Sequence, residues 1–508
     1  MTEEPALSSR QLAVLQGSVL VVALCGIVYE LIIASVSAYL LGNSVYQFSI
    51  TIGLFMFAMG VGSYITKRIE ADLLERFVQV EIAVALVGGL SSTLLFLVFP
   101  SRAFYVPVMY GLIIVIGTLV GLEIPILTRL LSRAGSLRDS IAHVLSLDYL
   151  GALVGSVAFP LVLLPQLGLF RASFAIGLLN FGVALLNVWL FAGALRRPRR
   201  LAAAAVVGTA LLTGGMLYGN AVTAFAEGRL FADTIIYREQ TPYQRIVVTR
   251  NDVTGKVRLF LDGHLQFAEQ DERRYHEALV HPIMGLPGSR GRVLILGGGD
   301  GMAAREVFAW PGVERVDLVD IDPAMTTLCR TFAPVARLNE GALDDARLTV
   351  HNEDAFSYVR EHTAEFDRIL IDLPDPHNEA LSKLYSVEFY RMVRRALRPG
   401  GFFVTQSTSP FFTREAFWSI AATVEAAGMA PQSYHITVPS FSVWGFTLAG
   451  EAGTAVPEPS ITVPTRFMSA DVLAAARVFP ADTVATEVAV NSIFEPSLYQ
   501  LYLKGLYR

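Results

Sequence analysis

The order of apolar and polar positions divides the chain near residue 219. Before it, apolar residues run on with few interruptions. Seven stretches, at 12–40, 47–65, 77–99, 106–127, 144–164, 173–195 and 201–217, each come near the ~20 residues that cross ~30 Å of hydrocarbon. The seventh is rich in Ala and Gly, the weakest of the set. The first is not a cleaved leader, being too long, without a basic start and followed by further spans. After a linker at 219–229 the period changes. Residues 257–261 predict a strand ending in the turn Asp262-Gly263, and 271–282 predict a helix. Short β-branched or aromatic runs at 292–296, 315–319, 347–350, 368–371 and 402–405 then alternate with helical segments. That alternation predicts a parallel sheet covered by helices on both faces.

Composition agrees with the division. The 508 residues are 53% hydrophobic and 17% charged, with a mean hydropathy of +0.49, against roughly 25% charged in ordinary soluble domains. Residues 1–219 hold 13 basic and 10 acidic side chains, leaving 27 and 35 for the rest. The first part is thus apolar and slightly cationic, the second ordinary and acidic. A single soluble domain, a disordered chain and a basic nucleic-acid binder are excluded. Two cysteines, Cys25 and Cys329, exclude a disulfide framework and a cysteine-based zinc site.

Loop charge gives the expected orientation. The second, fourth and sixth loops carry ten cations (Lys67, Arg68, Arg76, Arg129, Arg133, Arg138, Arg196, Arg197, Arg199 and Arg200). The other three carry Arg102 and Arg171. The N-terminus is therefore expected in the cytoplasm. Seven crossings would put residues 220–508 on the far side, and six would keep them inside. Glu30, Glu81, Glu123 and Asp148 fall in or near the spans. Acids at that depth are costly and become functional candidates, able as a cluster to line a route for a cationic solute. For Glu81, Glu123 and Asp148, towards the cytoplasmic ends, reaching headgroups, water or an Arg is the competing structural reading. Gly117-x-x-x-Gly121 and Gly151-x-x-x-Gly155 are the spacing that lets helices pack closely.

In the second part, ligands are expected at the carboxyl ends of the strands. Leu294-Ile295-Leu296-Gly297-Gly298-Gly299-Asp300-Gly301 is a strand running into a glycine turn and then a helix. Such a turn either lets backbone approach a ligand or merely joins strand to helix tightly. The next strand ends at Asp320, placed to accept the hydroxyls of a ribose, a spacing shared by dinucleotide enzymes and methyltransferases. Asp300 would repel a pyrophosphate and suits a cationic ligand. The third strand ends near Glu353-Asp354-Ala355, where an adenine edge can be read. Together they describe an adenosine site without phosphates. The fourth strand runs into Asp372-Leu373-Pro374-Asp375-Pro376, two acids stiffened by prolines over the sheet.

These motifs, with Leu261-Asp262-Gly263-His264-Leu265-Gln266, Asp271-Glu272 and Tyr275-His276-Glu277, resemble the spermidine synthases, the polyamine aminopropyltransferases. The likeness runs over about 237–450, and the apolar spans are similar to those of the multi-pass bacterial branch. It implies a multi-span α-helical membrane domain (1–218) followed by a small β-region (230–290) and a Rossmann-like, class I methyltransferase-type domain (291–508). It implies that Gln244, Gly297, Gly299, Asp320, Asp354 and Ala355 hold the methylthioadenosine moiety. Asp300 and His276 would contact the aminopropyl or polyamine chain, Tyr275 and Asp375 would bind the diamine, and Asp372 would be the proton acceptor. Decarboxylated S-adenosylmethionine is then the co-substrate and methylthioadenosine the product, with no tightly bound cofactor and no metal. The expected partners are a small amine, most simply putrescine, the bilayer of the cell membrane and further copies of the chain. The sequence departs from the family in two places. His377-Asn378-Glu379 follows the acids, with Glu379 where a proline contacts the nucleoside. Phe441 in Pro439-Ser440-Phe441-Ser442-Val443 replaces a tyrosine. Two other readings stay open on the residues alone: a small-molecule methyltransferase, which the acids Asp300, Asp372 and Asp375 disfavour, and a transporter or sensor that binds a polyamine without turnover.

Overall fold

The computed structural model describes residues 8–41, 44–99, 102–132, 136–218, 231–453 and 455–506. Arg133 and the linker 219–229 lie outside them. The chain separates into two compact units, Met1–Ala232 and Asp233–Arg508.

The first unit is helical: α1 (Ser9–Leu41), α2 (Ser44–Ile65), α3 (Leu73–Val98), α4 (Arg102–Leu131), α5 (Leu137–Ala158), α6 (Leu164–Leu190) and α7 (Pro198–Leu217). The fifth and sixth expected spans are one helical run, Leu137–Leu190, joined by a π-helical turn at Phe159–Leu163. By length and composition the described residues contain six helical runs apolar enough to cross a membrane, this long one holding two of the seven expected spans. The long run is not straight. Gly168 breaks it with φ 67° and ψ 178°, a conformation open to glycine. Packing shows what the break achieves. Val144 and Val188 share one apolar cluster with Leu15, Leu73, Leu127 and Leu201. Phe159 and Phe170 share another with Val36, Phe96 and Tyr105. The chain thus rises along α5, turns, and descends along α6. Helix α7 packs Ala205 and Leu212 against Ala85, Phe174 and Phe181. The spaced glycines act as expected: a Cβ on Gly121 would stand 2.2 Å from the Met59 carbonyl of α2, and one on Gly151 would stand 2.2 Å from the Leu20 carbonyl of α1.

The second unit begins with a four-stranded antiparallel sheet, β1 (Thr234–Gln240), β2 (Arg245–Arg250), β3 (Val257–Leu261) and β4 (His264–Ala268). After α8 (Glu272–Met284) comes a seven-stranded sheet: β5 (Arg292–Gly297), β6 (Arg315–Val319), β7 (Leu348–His351), β8 (Phe366–Asp372), β9 (Leu397–Gln406), β10 (Met429–Val438) and β11 (Ser442–Glu451). Its order is β10-β11-β9-β8-β5-β6-β7. The five strands read from sequence pair in parallel, as expected. The last two pair antiparallel with β9 and each other, so the sheet is mixed. In their long hairpin β10 is only intermittently buried, and Gly445, Thr447 and Gly450 interrupt the buried apolar run of β11. One apolar core takes Ile246 and Val248 of β2, Leu279 and Ile283 of α8, and Val293 and Ile295 of β5. The small sheet and the large one are therefore parts of a single body. Strand order reverses between β5 and β8, and a crevice opens at such a switch point, beyond the strand ends.

Candidate active site

Gly297 at the end of β5 lies in register with Asp372 at the end of β8. The glycine turn after β5 is dictated by crowding. Gly297 has φ 80°, and a Cβ there would stand 2.0 Å from the Asp372 carbonyl oxygen. A Cβ on Gly299 would stand 2.3 Å from Asp320 Oδ2, because the Gly299 amide donates to that carboxylate at 3.0 Å. Asp320 Oδ1 accepts from the Asp322 amide at 2.9 Å. Burial pushes the Asp320 carboxyl up to about 6, and the two amide donors oppose the rise.

Asp372 is the centre of the acidic half. The Tyr275 hydroxyl on α8 donates to its Oδ1 at 2.6 Å. Burial pushes the Asp372 carboxyl up to about 6, assisted by the charge of Asp300, while His276 and the Tyr275 hydrogen bond pull it back. A hydrogen bond to a carboxylate favours its charged form, by roughly 1.5–3 kcal/mol. Asp375 is held from two directions. Tyr502 donates to Oδ2 at 2.8 Å, and Gln406 Nε2 lies 3.3 Å from Oδ1. Its carboxyl is likewise pushed up to about 6 by burial, against those two donors. Gln406 also donates to the Leu373 carbonyl at 2.8 Å and contacts the Tyr385 hydroxyl, which in turn donates to the Pro374 carbonyl at 3.0 Å. The Asp372–Asp375 loop is thus fixed along its length.

His276 is buried on α8 with both ring nitrogens engaged. Nδ1 donates to the Glu272 carbonyl at 2.8 Å and to its carboxylate at 3.0 Å, and Nε2 lies 3.7 Å from Asp300 Oδ2. Burial disfavours the imidazolium, but the pairing with Asp300 and Glu272 prevails and lifts the ring to about 10. At neutral pH it is a cation spanning two acids. Glu272 is also clamped by Arg305 at 2.8 Å, and its carboxyl is pulled down to about 2: burial pushes it up, and the bonds from His276 and Arg305 outweigh that. Arg305 and Arg273 then pair with Glu306, at 2.8 and 2.7 Å. This charged network behind α8 sets where Tyr275 and His276 point. Asp300 itself caps the next helix, accepting from the Met302 amide at 2.8 Å.

The nucleoside half is less open than expected. Asp354 accepts from the Ser357 amide at 2.9 Å and from Lys383 Nζ at 3.1 Å. Burial raises its carboxyl, but these donors outweigh that and leave it below the ordinary value. An adenine amino group would have to share Asp354 with Lys383. Ala355 is buried beside it, in the first turn of the helix Ala355–Glu361. Gln244, in the turn between β1 and β2, donates to Asp322 at 2.9 Å and not to Asp320. Of the two departures, Glu379 opens a short helix capped by Asn378, whose side chain accepts from Leu381 N at 2.8 Å. Phe441 packs at 5.2 Å from Trp444 and 6.2 Å from Tyr275, giving the amine side an aromatic wall without the hydroxyl. His377 stacks on His264 of β4 at 4.6 Å, and burial, with His264 beside it, lowers His377 to about 4.

Sequence reasoning missed Gln406, Tyr502 and Lys383. Gln406 ends β9, so the strand-end rule that selected Asp320 and Asp372 would have found it. Tyr502 comes from the helix Leu498–Leu506, 127 residues beyond Asp375, and no local pattern marks it.

A glycine turn at a switch point, a buried acid at the end of the next strand and two further buried acids suit an adenosine-bearing cationic ligand. The comparisons carry this further. Residues 272–458 match the spermine/spermidine synthase domain. The polyamine aminopropyltransferase of Leptospira interrogans is 42% identical over 486 residues, covering 96% of this chain and 97% of the relative. Polyamine aminopropyltransferase 1 of Streptomyces coelicolor is 44% identical over 495 residues, covering 95% and 92%. The crystal structure of spermidine synthase from Thermotoga maritima aligns with a TM-score of 0.44 at 28% identity, over 48% of this chain and 84% of that one. The chain belongs to the spermine/spermidine synthase family. It is an aminopropyltransferase, with decarboxylated S-adenosylmethionine as co-substrate and methylthioadenosine as product.

Proposed function

We propose that the acceptor is putrescine, that Asp372 takes the proton from its attacking amine, and that the helical unit holds the enzyme in the cell membrane as a multi-pass protein. The carrying observation is the pair Asp372 and Asp375, buried three residues apart and each held by a phenolic hydroxyl. A diamine is protonated near neutral pH and must lose a proton before nitrogen can attack the carbon beside the sulfonium. A base is most effective when its pKa lies near the working pH, so lifting Asp372 to about 6 serves that role. Asp375 and Asp300 hold the cationic ends in line, and Tyr275 orients the base. His276, cationic between Glu272 and Asp300, positions Asp300 and does not take the proton. Asp320, Gly297 and Gly299 cradle the nucleoside, with Gln244, Asp354 and Ala355 at its rim.

Support for the membrane reading is the surface of the helical unit. Met56, Phe57, Leu153, Leu161, Val207 and Leu211 are all more than half exposed there. Apolar faces of that extent are unstable in water and natural in lipid. Helix α7 packs beside α3 and α6 from Ala205 to Leu212, which supports a seventh pass.

The test is a product assay on the purified full-length chain with decarboxylated S-adenosylmethionine and a panel of amines. Putrescine is expected to give spermidine and an equal amount of methylthioadenosine, and Asp372→Asn is expected to give neither. Turnover with another amine in preference would overturn the acceptor assignment, and full activity of Asp372→Asn would overturn the base. A reporter fused to either end, read in whole cells, decides the sidedness.

A further inference from the structure

Glu81 on α3 and Glu123 on α4 play no part in aminopropyl transfer, and their setting is unlike that of any acid in the catalytic unit. Both are wholly buried. Their carboxyl groups lie close enough to interact directly. Yet none of their four oxygens receives a donor from elsewhere in the described chain. Two carboxylates are acceptors only, so that contact is a hydrogen bond only when one of them carries a proton. The groups around the pair are Cys25 and Tyr29 of α1 and Asp148 of α5. None of these is cationic, and no Lys, Arg or His among the described residues of α2, α6 or α7 interacts with the pair.

A second observation points to the same place. The Tyr29 hydroxyl is wholly buried, has no hydrogen-bond partner among the described residues and lies within electrostatic reach of both carboxylates. A phenol left bare beside two bare acids is a donor waiting on their charge state. Glu81 lies roughly 12 Å along α3 from its start and Glu123 roughly 12 Å along α4 from its end, so the antiparallel helices bring them to one level. Asp148 is only half-buried and lies within electrostatic reach of Glu123, which links the pair to the surface of the bundle.

We propose that Glu81 and Glu123 form a proton-binding site, a carboxyl–carboxylate pair sharing one proton, and that the helical unit exchanges protons through it by way of Asp148. The ligand is a proton because a proton alone among cations needs neither a cavity nor further ligating atoms, and the pair has no exposed surface. Uptake converts the singly protonated pair to the doubly protonated one. Release returns the proton through Asp148 to water, with the Tyr29 hydroxyl then donating to the bared carboxylate. The inference stands on burial and contact, so it does not depend on whether the helices cross a bilayer.

The experiment is infrared difference spectroscopy of the full-length protein in detergent micelles as pH is varied. A carbonyl band of a protonated carboxyl group, shifted in D2O, is expected to titrate with about one proton per chain, as for a coupled pair. It should vanish in Glu81→Gln/Glu123→Gln and persist in Asp372→Asn, which separates it from the buried acids of the active site. In Glu123→Gln alone the band should change in frequency and midpoint, so the same measurement works if the double variant folds poorly. Aminopropyl transfer by these variants should match the parent, showing that the change is local. A band unaltered in the Gln variants would overturn the proposal, as would a pair titrating like two ordinary surface carboxyls. Membrane crossing is read separately by the terminal reporters, so failure of one reading leaves the other legible.

Discussion

Both units bury carboxyl groups, and they treat them oppositely. In the catalytic unit every buried acid of the site has donors aimed at it: Tyr275 on Asp372, Tyr502 and Gln406 on Asp375, two backbone amides on Asp320. In the helical unit Glu81 and Glu123 have only each other. Donors hold a carboxylate charged in a place water cannot reach, which suits a site for cations. Withholding donors lets a proton do the same work. One architecture stores negative charge, and the other trades it.

The contrast can be broken most sharply at Asp372. Asp372→Asn should lower kcat by about 10²–10⁴-fold, the usual worth of a general base. The same change removes a carboxylate whose pKa is lifted from the ordinary range to about 6, so it should also stabilise the fold at neutral pH by on the order of 2 kcal/mol. Loss of rate with a raised melting temperature is the combined signature to look for. Next is Arg305→Leu, which strands Glu272 and Glu306 without their shared partner. Removing one member of a buried network costs about 3–5 kcal/mol, measurable by denaturant unfolding. The associated pH dependence has a definite sign. Glu272 is pulled down to about 2, so its contribution is complete above the unfolded carboxyl range and is lost as pH falls towards 2.

The helical unit should respond in the other direction. Glu81→Leu/Glu123→Leu exchanges a donorless pair for apolar packing and should be neutral or stabilising by up to about 4 kcal/mol in a detergent melting assay. A large loss of stability would show that the pair is structural after all. Smaller in effect is Tyr275→Phe, which removes a hydrogen bond that favours the charged form of Asp372. The acid limb of kcat/KM, expected near pH 6, should move to higher pH, with roughly tenfold less activity at neutrality. Tyr502→Phe should be milder still, raising KM for the amine more than it lowers kcat, because it touches the residue that holds the substrate and not the base.

What could be read from the sequence follows the range of the physical signal. The strands from Arg292 to Gln406 and the acids at their ends were legible because each is a local pattern of apolar run, turn and polar tip. The antiparallel hairpin Met429–Glu451 was not, since β10 is only intermittently buried and two glycines and Thr447 break the apolar pattern of β11. The joined run Leu137–Leu190 was read as two spans; composition marks where apolar stretches lie but not that a π-turn keeps one helix going, nor that Gly168 is where it bends. The occupancy of Asp354 by Lys383 and of Asp375 by Tyr502 depends on residues 29 and 127 positions away, and nothing local announces either.

The bond from Tyr502 to Asp375 has a consequence for how the protein is made. The five parallel strands, the glycine turn and both acids are already in the chain when Gln406 leaves the ribosome, but the phenol that fixes Asp375 is translated much later. Glu277 meanwhile grips the backbone amides of Arg466, Phe467 and Met468, tying the late segment back onto α8. A chain stopped early, or clipped in that segment, would keep a nucleoside cradle while losing the finished acceptor side. Such a remnant would bind donor without spending it, so the helix Leu498–Leu506 is needed to finish the acceptor side.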